Sequence, residues 1–340
     1  MEAEENVSRG DGVMIYIEKN TEFQITEPTV VTIGKFDGRH RGHQKLLRTM
    51  LEIKEQYGCK TAVFTFSIAP ADLVQGKRHT VITTNLERKN NLRKMGMDYL
   101  VEYPFTRDVA QMPAEDFVRD ILVKQMHAKA IVVGTDCGFG YRRMGNAALL
   151  EKLAPLYGYQ LVVIEKERDE DRVISSTYVR EKLDLGQIEK ANALLGEPYY
   201  IHGQVVHGNH IGQPILGYPT ANLLPPPEKH LPPFGVYVSR VLIDGRFYGG
   251  ITNIGKKPTI PTKDGVAPVG VETFVFDYEG NLYGKEIEVG LLHFVRPERK
   301  MSGLEELKGQ ISRDKEVGQE YLASHPGVLK EDHCSGLLRP

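Results

Sequence analysis

The sequence predicts a doubly wound α/β domain followed by a small β-barrel that a C-terminal helix closes. Up to about residue 196, short β-branched runs alternate with amphipathic helical runs, which is the pattern of a parallel sheet with right-handed crossovers. The composition changes at Glu197-Pro198, after which strand-like pieces are separated by short turns rich in glycine, proline and aspartate. A chain of 340 residues is also longer than a single hydrophobic core usually supports. The expected extents are 14–196 for the α/β domain, 197–323 for the barrel domain, and 1–13 and 324–340 for flexible termini.

Hydrophobic periodicity places the elements of the α/β domain in order. The predicted strands are an edge strand at 14–17 and core strands at 29–33, 60–66, 99–101, 130–133 and 160–164. The predicted helices are 42–57, 86–95, one that begins at Pro113, 147–157, 177–185 and a short one ending at Gly196. Thr83 and Thr84 are N-cap residue types, with Glu87 in the first turn that follows, and Pro113 suits the first turn of its helix.

The C-terminal part shows short strands instead of this alternation. The predicted pieces lie at 199–207, 235–243, 247–254, 270–278 and 286–294, with a helix at 304–321. Closely spaced strands joined by tight turns are typical of a small barrel.

Composition and charge are those of an ordinary soluble protein. Hydrophobic residues make up 41% and charged residues 26% of the chain. A net charge of −2 argues against a broad nucleic-acid-binding face, although it leaves room for a local basic pocket. No apolar run approaches the ~18 residues of a membrane span, and the acidic, polar start does not resemble a signal peptide.

The three cysteines indicate the compartment. Cys59, Cys137 and Cys334 are far apart in the sequence and fit neither a disulfide framework nor a zinc-binding spacing. A reducing environment is therefore favoured, and we expect a cytoplasmic, enzyme-like chain that binds neither nucleic acid nor membrane.

A turn between the strand at 29–33 and the following helix reads GKFDGRHRGH, from Gly34 to His43. Unpaired N–H groups and the positive end of the helix dipole make such a turn suitable for an anion. The glycines let the backbone approach a phosphate, and the imidazoles of His40 and His43 add hydrogen-bond donors with a tunable charge. This arrangement suits the stabilisation of a pentavalent phosphorus without a covalent nucleophile. The alternative is an ordinary strand–helix turn whose glycines only permit its geometry.

The segment RVISSTYVR at 172–180 opens a helix with a cluster of hydroxyl side chains. Ser175, Ser176 and Thr177 are suited to a phosphate, together with the backbone N–H groups. Arg180, one turn later, can clamp that phosphate with several donors. The alternative is a plain helix N-cap with an exposed arginine, and the residues alone favour that alternative.

Within the barrel, the segment LGYPTANL at 216–223 carries candidate metal ligands. Thr220 and Asn222 point to the same side of an extended segment that follows Pro219. A hydroxyl and an amide oxygen there can ligate a magnesium ion carrying ATP. The alternative is an ordinary strand that starts after a proline.

Glu272 is a further candidate in the barrel, because it lies in a strand that is otherwise apolar. The alternative to a functional role for Glu272 is a solvated position on the outer face of the barrel.

The pattern GxFDGxHxGHxxLL, which starts at Gly34, resembles the signature of the nucleotidylyltransferase superfamily, specifically its flavin branch. ISSTxxR at 174–180 resembles the superfamily's second hallmark, and DCGFGYRRMG at 136–145 resembles the glycine-rich segment of the flavin branch. The resemblance implies that His40 and His43 stabilise developing phosphate charge and that magnesium neutralises the rest. The nucleotide-binding residues that it implies here are Gly34, Phe36, Asp37, Gly42, Asp136, Arg143, Ser175, Ser176, Thr177 and Arg180.

The C-terminal part resembles riboflavin kinase in its motifs and in their order. The matching segments are HGxxxG at 207–212, GYPTANL at 217–223, FGVYV at 234–238, TNIGKKPT at 252–259, VETFVFD at 271–277, LYG at 282–284 and RPE at 296–298. This resemblance implies that Gly217, Thr220 and Asn222 bind the nucleotide and that Thr220 and Asn222 also ligate Mg²⁺. It implies further that Glu272 is the catalytic carboxylate.

Over residues 14–323, the chain resembles the bacterial bifunctional riboflavin kinases and FAD synthetases. The resemblance implies a Rossmann-like nucleotidylyltransferase domain followed by a riboflavin-kinase barrel. The implied reactions are phosphorylation of riboflavin to FMN by Mg-ATP, and adenylylation of FMN to FAD with release of pyrophosphate. The implied substrates are ATP, riboflavin and FMN, and no obligate protein partner is implied.

Three positions depart from the family pattern. Lys35 stands where the family usually has asparagine, and Ala69 replaces a histidine of the second loop. The arginine expected shortly before the GYPTANL segment is absent, with Gln213 nearby. Because Lys35 and Ala69 belong to the first site, we expect the adenylyltransferase to be the weaker half. Two alternatives stay open: a single-activity enzyme in which one domain has decayed, and a non-catalytic flavin-responsive regulator.

Overall fold

The computed structural model describes residues 14–67, 79–207, 220–257 and 267–330. Packing divides the chain into a first unit, Met1–Ser175, and a second unit, Ser176–Pro340. This division lies before the expected boundary at 196/197, because the two helices that precede that boundary belong to the second unit. The domain extents of 14–196 and 197–323 therefore stay a prediction. Within the described ranges, no helix has the length and apolar character needed to cross a membrane.

The first unit is built on a six-stranded parallel sheet in the order β1-β4-β3-β2-β5-β6. Its strands are β1 (Ile15–Glu18), β2 (Thr29–Ile33), β3 (Lys60–Phe66), β4 (Tyr99–Tyr103), β5 (Ala128–Gly134) and β6 (Gln160–Ile164). Its helices are α1 (Arg41–Tyr57), α2 (Asn85–Lys94), α3 (Arg107–Ala110), α4 (Ala114–Asp116, continued by a π-helical segment, Phe117–Gln125) and α5 (Ala147–Tyr157). A short antiparallel ladder follows, formed by β7 (Arg168–Asp169) and β8 (Arg172–Val173). The parallel α/β architecture predicted from the sequence is confirmed, whereas this ladder was not predicted.

Both faces of the sheet are buried, because alternate side chains of each central strand enter different cores. Val31 and Phe64 pack in one cluster, and Val30 and Val63 pack in the other. This two-sided burial explains why the strands are continuously apolar rather than alternating. The strand order reverses at β2, which lies between β3 and β5. Ligands of such sheets bind beyond the carboxyl ends of the strands at this reversal.

The helix predicted to begin at Pro113 differs in its winding from the expected α-helix. Pro113 is its N-cap residue, and after one α-helical turn the segment Phe117–Gln125 is π-helical. A π-helix has a wider turn than an α-helix. The wider turn brings Met126, which is fully buried, into the core in place of the polar Gln125.

The second unit is built on a six-stranded sheet in the order β10-β13-β12-β11-β14-β9, and all of its pairs are antiparallel. Its elements are α6 (Ser176–Asp184), α7 (Ile188–Leu195), β9 (Tyr200–Gln204), β10 (Thr220–Leu223), β11 (Gly235–Ile243), β12 (Arg246–Lys256), β13 (Val269–Val275), β14 (Glu286–Pro297) and α8 (Leu304–Ser324). An isolated antiparallel bridge between Val206, just after β9, and Asn222 on β10 links the two ends of this strand order, so the sheet curves until its edge strands meet. Helix α8 covers one face, where Tyr321 and Leu322 pack on a core that includes Phe274.

A short turn follows α8. Residues Pro326–Leu329, which lie within the terminus expected to be flexible, form a 3-10 turn. Val328 packs against the core under α8, and its carbonyl oxygen accepts a hydrogen bond from Arg240 Nη1 at 3.2 Å.

Candidate functional sites

The loop between β2 and α1 carries the first candidate site. It starts at Gly34, whose N–H donates to the Phe64 carbonyl oxygen at 3.1 Å, and it ends at His40, the N-cap residue of α1. Phe36 is buried with a positive φ of 49°, and its ring lies 5.2 Å from the ring of His43. Gly42 lies in the first turn of α1, where an added Cβ would be 3.3 Å from the His40 ring. The loop therefore folds both histidines and Phe36 against the start of one helix.

Asp37 has a structural function in this loop. Its Oδ1 accepts a hydrogen bond from the Thr83 N–H at 3.0 Å, and the Thr83 hydroxyl accepts one from the Gly38 N–H at 3.0 Å. Gly38 has a φ of 64°, and a Cβ there would be only 2.8 Å from Ile82. The conformation therefore requires glycine at this position. Asp37 is buried, and the resemblance predicts that it contacts the nucleotide; the structure shows that it holds the loop.

The two histidines form a stacked pair. Their ring centroids are 3.8 Å apart, and the rings are inclined by 21°. His40 is buried, and the Nδ1 atoms of both rings are enclosed without a hydrogen-bond partner among the described residues. Both histidines therefore lie at the start of α1, and their role as donors to phosphate stays a prediction.

The environment makes both imidazoles neutral at pH 7. Burial lowers the pKa of His40 to about 4, although the nearby Asp136 carboxylate acts in the opposite direction. Burial, followed by the neighbouring His40, holds the pKa of His43 well below its usual range. Each ring then offers one N–H donor and one acceptor nitrogen rather than a positive charge. The expected tunable charge is therefore replaced by neutral donors at this pH.

The glycine-rich segment after β5 lies beside the stacked histidines, because β5 is the neighbour of β2. Asp136 is the residue whose charge acts on His40, and its exposed carboxylate pairs with Lys166 Nζ at 3.0 Å. Arg143 folds back over Gly138, and its Nη2 donates to the Asp136 carbonyl oxygen at 3.4 Å. The structure thus brings together His40, His43, Phe36 and Asp136 at the reversal of the strand order.

Two cations beside the histidines were missed in the sequence analysis. Lys45 Nζ pairs with Glu167 at 2.8 Å, and Arg41 Nη2 lies 3.7 Å from the same carboxylate. Arg41 lies within the HxGH pattern and Lys45 follows it, and their i, i+4 spacing places them on one face of α1. That spacing was visible in the sequence, but the position of Glu167, which follows β6, was not.

A buried ion pair between Arg88 and Glu102 contacts the loop between β2 and α1. Arg88 Nη2 donates to Glu102 Oε1 at 2.5 Å, and both side chains are almost fully buried. Arg88 Nη1 also donates to the Lys35 carbonyl oxygen at 3.4 Å, which ties the loop to β4. The Lys35 side chain itself is exposed.

The hydroxyl cluster lies at the start of α6. Ser175 immediately precedes the helix, Ser176 and Thr177 are its first residues, and Arg180 follows one turn later. The helix begins at Ser176, one residue earlier than expected. Tyr178, among other residues, anchors α6 in the core. The predicted contacts of these four residues with phosphate stay a prediction.

The second candidate site lies on one face of the antiparallel sheet. Asn222 on β10 is directly opposite Glu272 on β13, and Glu272 is directly opposite Asn253 on β12. Thr220 lies two residues from Asn222 and therefore points to the same face. Opposing residues of antiparallel strands share a face, so the amide, the carboxylate and the hydroxyl belong to one row of side chains. Gly217 lies outside the described residues.

Glu272 is paired rather than freely solvated. It accepts a hydrogen bond from Lys257 Nζ, which also lies 3.4 Å from Asn222 Oδ1. The Glu272 side chain is 34% exposed and that of Lys257 is 19% exposed. Lys257 was not singled out in the sequence analysis, although the segment TNIGKKPT contains it.

Comparison with known families covers both halves of the chain. A family described as FAD synthetase matches residues 22–178, and a family described as riboflavin kinase matches residues 195–322. The bifunctional riboflavin kinase/FMN adenylyltransferase of Buchnera aphidicola is 35% identical over 304 residues, covering 89% of this chain and 96% of that protein. The protein of the same description from Escherichia coli K12 is 36% identical over 299 residues, covering 87% and 93%.

A solved structure shares the architecture of both units. It is the crystal structure of a Streptococcus pneumoniae protein described as a macrolide-efflux protein, with a TM-score of 0.76 and 31% identity. The match covers 90% of this chain and 98% of that one. Matches of this identity extend over nearly the whole length of the relatives, and the chain therefore belongs to the bifunctional riboflavin kinase/FMN adenylyltransferase family.

Proposed function

We propose that this chain phosphorylates riboflavin to FMN with Mg-ATP and adenylylates FMN to FAD with release of pyrophosphate. The observation that carries the proposal is the family match, which is continuous from residue 22 to residue 322 apart from a short gap between the two halves. We assign the adenylyltransferase to residues 14–196, with a Rossmann-like nucleotidylyltransferase fold, and the kinase to residues 197–323, with a small β-barrel. The free thiols of Cys59 and Cys137 are consistent with a reducing cytoplasm as the place of action.

In the kinase site, Glu272 acts as the general base. It takes the proton of the riboflavin 5′-hydroxyl as that oxygen attacks the γ-phosphorus of ATP, and ADP leaves. A positioned base contributes about 10²–10⁴ in rate. Glu272 lies in the same row of side chains as Asn222, which supports a role close to the bound nucleotide.

The residues of this row also fit a magnesium ion. Thr220 and Asn222 offer oxygen atoms, which are the ligands that Mg²⁺ prefers, and Gly217 completes the nucleotide-binding segment. The described residues contain no cluster of three or more His, Cys, Asp or Glu side chains suited to a metal. We assign to this site a magnesium ion that arrives with ATP and neutralises phosphate charge.

In the adenylyltransferase site, a phosphate oxygen of FMN attacks the α-phosphorus of ATP, and pyrophosphate leaves. His40 and His43 donate neutral N–H groups to the charge that develops on phosphorus, so no protein nucleophile is needed. The position of both rings at the start of α1, stacked with their centroids 3.8 Å apart, supports this role.

The remaining predicted residues bind the nucleotide. Ser175, Ser176, Thr177 and Arg180 hold the β- and γ-phosphates, because hydroxyls, N–H groups and a guanidinium at a helix start suit anions. The backbone of Gly34, Phe36, Asp37 and Gly42 contacts the rest of the nucleotide. The side chains of Asp136 and Arg143, which follow β5, make further contacts with it.

Two parallel incubations separate this proposal from the alternatives. The full chain is incubated with Mg²⁺, excess ATP and either riboflavin or FMN, and the flavins are separated by chromatography. We expect both FMN and FAD. FMN alone would identify a kinase with an inactive first domain, and FAD formed only from supplied FMN would identify the reverse. Tight flavin binding without any product would identify a regulator.

A further inference from the structure

Lys257 reaches the kinase site along a path that the sheet provides. Its N–H donates to the Pro268 carbonyl oxygen at 2.8 Å, so the residue lies opposite the start of β13. The aliphatic chain then crosses Gly270, where an added Cβ would be 2.5 Å from Lys257 Cε and 2.6 Å from Cγ. Glycine at 270 therefore leaves the space through which this side chain extends.

The ammonium group ends between two oxygen atoms from different strands. It donates to Glu272 Oε2, and Asn222 Oδ1 is 3.4 Å away. These are the carboxylate and the amide oxygen of the row described above, one assigned to the base and the other to the metal. The Lys257 ammonium thus lies at the oxygen atom assigned to the metal and is paired with the carboxylate assigned as the base.

We propose that Lys257 is a positioning residue of the kinase site, whose ammonium fills the oxygen pair of Asn222 and Glu272 until the metal–nucleotide complex displaces it. This inference rests on the proposed kinase function. Because two cations repel at such short distance, Lys257 and the metal ion exclude each other. Lys257 holds the Glu272 carboxylate in place in the free protein, and its departure leaves that carboxylate available to accept a proton.

The neighbouring Lys256 provides a matched control. Successive residues of a strand point to opposite faces, so Lys256, the last residue of β12, lies on the other face and is exposed. Lys256→Met removes the same charge from the same segment without emptying the oxygen pair.

The test measures Mn²⁺ binding to the full-length chain without nucleotide, by electron paramagnetic resonance of free Mn²⁺. We expect Lys257→Met to bind Mn²⁺ at least about tenfold more tightly than the parent, because a repelling unit charge is removed. Lys256→Met should bind like the parent, and Lys257→Met combined with Asn222→Ala should lose the gain. Equal affinity of the parent and Lys257→Met overturns the proposal.

A second variant, Gly270→Ala, tests the proposal independently if Lys257→Met does not fold. Gly270→Ala crowds the Lys257 side chain while keeping its charge, and it should also raise the Mn²⁺ affinity, by less than Lys257→Met does. An unchanged Mn²⁺ affinity of Gly270→Ala would show that the Lys257 side chain does not reach the oxygen pair across Gly270, which overturns the proposal.

Steady-state kinetics give an independent readout. Displacement predicts that the KM for Mg-ATP in Lys257→Met is equal to or below that of the parent, with any loss confined to kcat. A raised KM shows instead that the ammonium stays with the nucleotide, which overturns the proposal. If the parent forms no FMN, the proposed function fails, whereas the Mn²⁺ comparison still decides the role of Lys257.

Discussion

The imidazole rings of His40 and His43 stack at the start of α1 with their centroids 3.8 Å apart. Two protonated rings at this distance would repel each other, and burial lowers the pKa of both. The stacked pair therefore stays neutral at pH 7 and offers hydrogen bonds rather than charge. Phosphate charge in this domain must then be balanced by other groups, of which Lys45 and Arg41 lie closest along the same helix.

His43→Ala is expected to abolish FAD formation from FMN while leaving riboflavin phosphorylation nearly intact. The loss of one donor to the transition state should cost on the order of 10²–10³ in rate. The two half-reactions are measured separately on the full chain, starting from FMN or from riboflavin. An FAD rate equal to that of the parent would remove His43 from the mechanism.

Glu272→Gln is the reciprocal variant. The amide keeps the size of the side chain and its place opposite Asn222, but it cannot accept a proton. We expect riboflavin and Mg-ATP to bind while FMN formation slows by about 10²–10⁴. FAD formation from supplied FMN should be unchanged. Turnover of riboflavin at the parent rate would show that Glu272 is not the base.

The burial of His40 should make the stability of the first unit depend on pH. Its pKa is about 4 when folded and 6.5 in the reference state, so above about pH 6.5 both states are neutral and the group contributes nothing. As the pH falls from about 6.5 to about 4, the unfolded chain gains a proton that the folded chain does not. The free energy of unfolding should therefore fall by up to about 3 kcal/mol.

Urea unfolding over this pH range tests that expectation with two variants. His40→Asn should have a shallower pH dependence than the parent, because the buried titrating group is gone. His79→Asn, which changes an exposed histidine, should keep the parent slope. Identical slopes in the parent and in His40→Asn would contradict the assigned pKa.

Residues 197–340 expressed alone are expected to fold and to phosphorylate riboflavin, because the antiparallel sheet has its own core. Residues 176–340 should be more stable. Asn192 on α7 donates to the Leu291 carbonyl oxygen at 2.8 Å and accepts from the Tyr199 N–H at 2.7 Å. Loss of α7, with its buried apolar side chains, should cost on the order of 3 kcal/mol or more.

Thermal melting of the two fragments gives the comparison. The longer fragment should melt at the higher temperature, with riboflavin kinase activity in both. Equal melting temperatures would show that α6 and α7 do not stabilise the sheet. An insoluble shorter fragment together with a soluble longer one would move the domain boundary to the position of the packing division.

The chain is expected to accumulate FMN before FAD when it is given riboflavin and excess ATP. Lys35 places an exposed positive charge where the family has a neutral amide. A charge that binds pyrophosphate as tightly as it binds the transition state does not raise turnover. Ala69, outside the described residues, lacks the side-chain donor of the family, at a cost of about 1–3 kcal/mol if the transition state uses it.

Restoring the residues that the family usually has at these positions should speed the formation of FAD. Lys35→Asn with Ala69→His, and with Ile68→Pro to rebuild the loop, is expected to raise FAD output. The measurement is the ratio of the two kcat/KM values before and after the change. A parent chain whose FAD step is already as fast as its kinase step would refute this expectation.

The sequence by itself determined the class of each half and the residues worth testing. Buried parallel strands are continuously apolar, and turns that need positive φ select glycine, so both features appear in the local pattern. The strands from 29–33 to 160–164 were predictable for this reason, as were the loop that carries His40 and His43 and the site segment around Asn222.

Only the tertiary structure decided what surrounds these residues. The pKa of His40 depends on burial and on Asp136, which a distant segment contributes. The pairing of Lys257 with Glu272 depends on the register of β12 and β13 and on the space above Gly270. Burial and register are set by contacts between segments far apart in the chain, and a local sequence pattern does not contain them.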